Sequence, residues 1–182
     1  GGIGTVVEGL DAFPPVAEPE ETGATFAENA RQKATYYSGA LGVTVVAEDS
    51  GLEIDGLGGE PGVQSARYGG PAAAAYPQKF ALIWEGLRAK GAMGSPARFV
   101  CALAVASGTD ILFEARGTIE GRINDAPAGA GGFGYDPIFF YPPLGRTLAE
   151  IGEDEKAVVS HRGQAFRQLR DHLDSHPPWF RG

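Results

Sequence analysis

The longest unbroken apolar stretch in the chain, Phe99 to Ala106, is eight residues long, and it constrains the fold more than any other segment. A membrane-crossing helix needs about 18 consecutive apolar residues, so this stretch cannot span a bilayer. Arg98 to Ala106, which contains it, reads as a strand-like run. A second strand-like run, Ile111 to Ile123, follows the turn residues Ser107-Gly-Thr-Asp110. Two such runs around a Gly turn predict an antiparallel hairpin. The lone Cys101 lies inside the first run, so it reads as a small buried hydrophobe, and a disulfide framework or Cys-based zinc site is excluded. A reducing cytoplasm is the expected setting.

The same pattern reading places the other elements. Thr25-Phe-Ala-Glu28 is a capping box, and Phe26, Ala30, Ala34 and Tyr37 recur at helical spacing up to Gly39 and Gly42, predicting a helix over 25–40. Val43 to Ala47 reads as a buried strand ending in a polar loop, Glu48-Asp49-Ser50-Gly51, and Leu52 to Leu57 reads as a second, half-exposed strand. A helix is predicted over 77–89 with Pro77 in its first turn. Residues 124–147 read as a long Gly/Pro-rich loop, followed by a short helix near 147–154 and a final helix over 161–174 capped by Ser160. With 43% hydrophobic residues and no repeat or linker, residues 1–182 are expected to form a single domain. The opening Gly1 to Gly4 carries no signal-peptide pattern.

A net charge of −8 argues against a nonspecific nucleic-acid surface. A polyanionic ligand would need a local cationic pocket or a bridging metal. Four segments could supply one. Glu48-Asp49 at a strand end offers two hard oxygen donors suited to Mg²⁺, with a self-capped polar turn as the alternative. Glu20 and Glu21 could add a second carboxylate, or simply be a solvated acidic loop. Gly129-Ala-Gly-Gly-Phe-Gly-Tyr-Asp136 puts Phe133 among glycines, so that backbone can approach a ligand while the ring stacks on a base; an ordinary Gly-rich turn is the alternative. It lacks the G-x-x-x-x-G-K-[ST] pattern of a P-loop. Lys156 and the pair His161-Arg162 put cations around a helix start, where the dipole disfavours them unless an anion compensates, with an exposed basic helix start as the alternative.

Together, Glu20-Glu-Thr-Gly-Ala-Thr-Phe-Ala-Glu-Asn-Ala-Arg-Gln-Lys33-Ala, Ala47-Glu-Asp-Ser-Gly-Leu52, Pro61-Gly-Val-Gln-Ser-Ala-Arg-Tyr68, Gly132-Phe-Gly-Tyr-Asp-Pro137-Ile-Phe and Glu155-Lys-Ala-Val-Val-Ser-His-Arg162 resemble the ITPase family, the inosine/xanthosine triphosphate pyrophosphatases of the RdgB-like type. The resemblance implies an α/β fold, a mixed, twisted sheet flanked by helices, with two lobes and a central cleft. It implies hydrolysis of dITP, ITP and XTP to the monophosphate and pyrophosphate, a house-cleaning of the nucleotide pool, by a cytoplasmic homodimer that uses Mg²⁺ and binds neither nucleic acid nor membrane. Carried over residue by residue, it makes Asp49 the proton acceptor and a metal ligand, with Glu20 and Glu48 as further metal ligands. Ser50, Lys33, Phe133, Gly134, Tyr135, Asp136, Lys156, His161 and Arg162 become substrate contacts, with Phe133 stacking on the purine and the two lysines neutralising phosphate.

The chain departs from the family pattern in three places. Glu48 stands where Asp is usual, and Ala157 where Asn is frequent. Nothing before Glu8 matches the [ST]-x-N-x-x-K phosphate loop with which such proteins open, so the first strand and that loop are expected to be missing. A Maf-like pyrophosphatase for modified pyrimidine nucleotides and a non-catalytic nucleotide-binding remnant are the alternatives.

Overall fold

A computed structural model describes residues 6–176; the opening Gly1 to Gly4 lies outside them. The expected α/β class holds, with helices beside a five-stranded sheet in the order β1-β2-β3-β4-β5. Helix α1 spans Phe26–Leu41. Its N-cap Thr25 accepts from Glu28 N at 3.2 Å, while Glu28 reaches past the cap to accept from Ala24 N at 2.7 Å. At the other end Gly42 adopts φ +68°, a left-handed close that favours glycine.

The strand expectation needs correcting at β1. Val45–Ile54 is one continuous strand, so Glu48-Asp49-Ser50-Gly51 is strand rather than a polar loop or self-capped turn. Polarity misled because Asp49 finds its partners, Asn29 and Lys33, inside the protein, which hydropathy cannot register. The hairpin is as expected: β2, Pro96–Ser107, and β3, Asp110–Ile123, are sheet neighbours joined through Gly108-Thr109, and a two-residue connection only permits antiparallel pairing. The stretch read as a long loop over 124–147 is also corrected. It contains β4, Phe139–Tyr141, and β5, Arg146–Thr147. Strand β4 pairs antiparallel with β3 (Arg122 with Phe140) and with β5 (Phe140 with Thr147). Two strands this short carry too little periodicity to be read from sequence. Helix α2 is Tyr76–Ala89, α3 is Glu153–Val159 after a 3₁₀ turn at Leu148–Glu150, and α4 is His161–Ser175. Ser160 Oγ caps α4 by accepting from Gly163 N at 3.0 Å. Among the described residues no helix is long and apolar enough to cross a membrane.

The chain divides into two compact units. The first comprises 6–49, 102–116 and 165–176. Its buried residues include Phe26, Ala30 and Ala34 of α1, the run 102–106 of β2, and Ala165 and Leu169 of α4. Ser38 ties the end of α1 to the hairpin, donating to Val43 O at 2.6 Å and accepting from Gly108 N at 2.7 Å. The second unit comprises 50–101 and 117–164. It holds a contiguous apolar core of Leu52, Ile54, Phe80, Ile83, Leu87, Phe99, Ile123, Ile138, Phe139 and Leu148, among others. Burying each of the larger side chains contributes about 1.5–3 kcal/mol, and this core fixes the base on which the 129–136 loop stands.

Candidate active site

In the first unit, the chemistry-bearing residues gather where α1 meets the end of β1's first half. Asp49 is only 9% exposed, and each of its carboxylate oxygens has its own partner. Asn29 Nδ2 donates to Oδ2 at 3.0 Å and Lys33 Nζ donates to Oδ1 at 3.3 Å. Lys33 also pairs with Glu21 at 3.0 Å, so a single ammonium bridges two carboxylates. Helical spacing explains the cluster: Asn29 and Lys33 are one turn apart on α1 and therefore share a face. Burial raises the Asp49 pKa above the usual 3.8, and Glu21 pushes the same way, against the hydrogen bond from Asn29 and the charge of Lys33. The result is a carboxylate more basic than an ordinary aspartate.

Glu20 is exposed on the segment before α1 and Glu48 is half-buried on β1. Alternation along a strand points Glu48 and Asp49 to opposite faces, so the two adjacent carboxylates do not converge on one ion. Among the described residues no three His, Cys, Asp or Glu side chains gather as a metal cage. What Asp49 and Glu21 offer is a small set of hard oxygen donors around one cation position. That suits Mg²⁺, which is commonly held by one or two carboxylates while phosphate oxygens and waters complete its shell. A shallow hollow of about 310 Å³ lined by Glu28, Arg31, Gln32, Thr35 and Ile111 lies elsewhere on α1 and includes none of these groups.

In the second unit, the Gly-rich loop is organised by Asp136, 3% exposed. Its Oδ2 accepts from Phe133 N at 2.9 Å and takes the Lys156 ammonium of α3. Lys156 Nζ then sits 4.4 Å from the centroid of the Phe133 ring. Gly132 and Gly134 supply φ of +68° and +62° on either side of Phe133, and these bends turn its ring outward, where it is 67% exposed. An aromatic ring presented to solvent with a cation against it is a stacking platform. Tyr135, by contrast, faces inward at 3% exposure and its hydroxyl donates to Ser65 O at 2.5 Å. Burial pushes its pKa up, which keeps it a donor. Ser65 Oγ in turn accepts from Leu52 N at 2.8 Å. The His161 ring stacks on Phe99, centroids 5.1 Å apart, and Arg162 is exposed. Ser50 Oγ is buried without a hydrogen-bonding partner, an unusual state for a buried hydroxyl and one that a ligand atom would relieve.

Two groups therefore emerge where the sequence reading anticipated one list. Lys33 lies with Asp49 and Glu21; Lys156 lies with Asp136 and Phe133. Both lysines already neutralise carboxylates of this chain. Asn29 and Ser65 escaped the sequence reading. Asn29 could have been flagged, since it is a polar, weakly helix-forming residue on the apolar stripe of a strongly capped helix.

A sequence model of the Ham1 family matches residues 3–172. A dITP/XTP pyrophosphatase of Exiguobacterium sp. is 50% identical over 167 residues, covering 92% of this chain and 84% of that protein. One from Thermus thermophilus is 48% identical over 160 residues, covering 88% and 76%. The solved structure of a HAM1 protein from Coxiella burnetii superposes with a TM-score of 0.84 at 40% identity, over 88% of this chain and 82% of that one. With the family match running over nearly its whole length, this chain belongs to the Ham1 family.

Proposed function

We propose that this chain is a nucleoside triphosphate pyrophosphatase that clears non-standard purine nucleotides, taking ITP, dITP or XTP to the monophosphate and pyrophosphate. The observation that carries the proposal is Asp49: a buried carboxylate of raised basicity, held by separate partners on each oxygen, in a chain about half identical to a dITP/XTP pyrophosphatase.

In this reading Asp49 accepts a proton from the water that attacks the α-phosphorus. A new P–O bond forms, the bond from the α-phosphorus to the bridging oxygen breaks, and pyrophosphate leaves with that oxygen. General-base assistance of this kind is worth about 10²- to 10⁴-fold. Asp49 and Glu21 would hold Mg²⁺, which when bound neutralises phosphate charge and polarises the phosphoryl group. Lys33 keeps Asp49 ionised and adds positive charge at the phosphates. Phe133 stacks on the purine, with Gly134 allowing close approach. Asp136 and Lys156 fix that ring, and Tyr135 braces the loop from beneath. Ser50, His161 and Arg162 contribute polar contacts to substrate. A single, buried cysteine, Cys101, suits a reducing cytoplasm, and we expect a homodimer that binds neither nucleic acid nor membrane.

The test is incubation with ITP and Mg²⁺, following pyrophosphate and orthophosphate separately. Pyrophosphate with IMP is the expected pair. Orthophosphate as the primary product, or binding of ITP without turnover, overturns the proposal. Preference for dTTP, UTP or methylated pyrimidine nucleotides over dITP would move the chain to the Maf-like alternative.

A further inference from the structure

Asn29 is 1% exposed in the second turn of α1, on the stripe where Phe26, Ala30 and Ala34 are buried. A primary amide there would cost about 1–3 kcal/mol if unpaired, and an asparagine contributes nothing to helix formation that alanine would not exceed. Both ends of the amide are in fact used. Nδ2 donates to Asp49 Oδ2 at 3.0 Å, and Oδ1 accepts from Gly23 N at 2.7 Å. The orientation of the amide is forced, because a backbone N–H can only donate and the carboxylate here can only accept.

These two bonds close a ring. From Asp49 Oδ2 the path runs through the Asn29 amide to Gly23, back along the backbone to Glu21, from Glu21 to Lys33 at 3.0 Å, and from Lys33 to Asp49 Oδ1 at 3.3 Å. Two cross-links to one carboxylate fix its plane as well as its position. The fit at Gly23 is tight: a Cβ there would lie 2.6 Å from Asn29 Oδ1 and 2.7 Å from Glu28 Cβ, so any larger residue would displace the amide.

We infer that Asn29 is the positioning residue of the proton acceptor: its amide clamps Asp49 Oδ2 against the acidic segment at Glu20–Gly23, so that turnover depends on Asn29 although it touches no substrate. The inference rests on the assignment of Asp49 under the proposed function. Its logic is that a reacting group misplaced by about 1 Å can lose on the order of 100-fold in rate, while substrate binding, made elsewhere, is left alone.

The test uses the whole chain with Asn29→Ala and Asn29→Asp. The aspartate keeps the acceptor for Gly23 N but removes the donor to Asp49, so it separates clamping from packing. With ITP and Mg²⁺, both variants should lose roughly 10- to 100-fold in kcat with KM within about threefold of wild type. A kcat within threefold of wild type in a folded variant, or kcat and KM changing together, overturns the inference. Thermal unfolding supplies a readout that needs no activity. The drop in Tm caused by Asn29→Ala should shrink by at least half in an Asp49→Ala background, because the partner is already gone; an undiminished drop overturns the clamp. Should the wild-type chain release no pyrophosphate from ITP, the proposed function fails, and the Tm comparison still decides whether Asn29 holds Asp49.

Discussion

Removing the Asp136 carboxylate should unfasten the aromatic platform, and the structure allows the loss to be sized. One oxygen, Oδ2, accepts from Phe133 N at 2.9 Å and also takes the Lys156 ammonium. The Asp136 and Lys156 side chains are 4% and 15% exposed. Asp136→Ala strands the Phe133 N–H, worth about 1 kcal/mol, and removes one partner of a largely buried ion pair, which in full burial costs about 3–5 kcal/mol. Because Lys156 retains some water and the face of the Phe133 ring, the low end applies, and we expect a total of about 4 kcal/mol. Asp136→Asn leaves an oxygen that accepts both contacts without the charge, and should lose about 1 kcal/mol. For a chain of this size about 2–4 °C of Tm accompanies each kcal/mol, so Asp136→Ala should melt roughly 8–16 °C lower and Asp136→Asn roughly 2–4 °C lower. Urea titration followed by fluorescence, with Trp84 reporting from the same unit, measures both. If Asp136→Ala fell within about 0.5 kcal/mol of wild type, or if the asparagine were as damaging as the alanine, the account of Asp136 as a charged hub would be wrong.

Asp49→Asn should lower kcat for ITP by about 10²- to 10⁴-fold; near-normal turnover would remove Asp49 as proton acceptor. The stability of wild type relative to the same variant should also depend on pH. The folded-state pKa of Asp49 is raised above 3.8, chiefly by burial, so its ionisation costs stability as the pH rises through the raised value, and wild type should stand highest relative to the asparagine below pH 3.8. Denaturant unfolding at acidic and neutral pH reads this directly, and an equal difference at both would contradict it. Phe133→Ala removes an exposed stacking surface worth roughly 1–3 kcal/mol, so KM for ITP should rise about 5- to 160-fold with kcat nearly unchanged, and an unmoved KM would end the stacking assignment. Gly132→Ala combines a φ of +68° with a Cβ that would overlap the Asp136 carboxylate. The backbone term alone costs about 1–2 kcal/mol, so calorimetry should find a lower Tm together with a raised KM; a variant as stable as wild type would mean the loop is not built on that turn.

The sequence determined the parts whose signals are local. The capping box at Thr25 set the start of α1, Gly108 set the hairpin, and Ser160 set the start of α4, because caps and tight turns are decided by residues within four positions of one another. The run 98–106 announced a strand, and five motifs pointed to the family. What only the tertiary structure decided are the partnerships across long separations. Asp49 looked like the end of a strand beside a loop because its polar side chain breaks the apolar pattern; twenty residues away, Asn29 satisfies it. Lys33 took a phosphate-neutralising role from the family resemblance alone; the tertiary structure sets it between Glu21 and Asp49. Tyr135 and Phe133 read alike in a Gly-rich loop, but one is buried on Ser65 and the other presented to solvent. A polar residue's role depends on whether a partner meets it once water is excluded, and that is settled by packing between segments that the sequence keeps far apart.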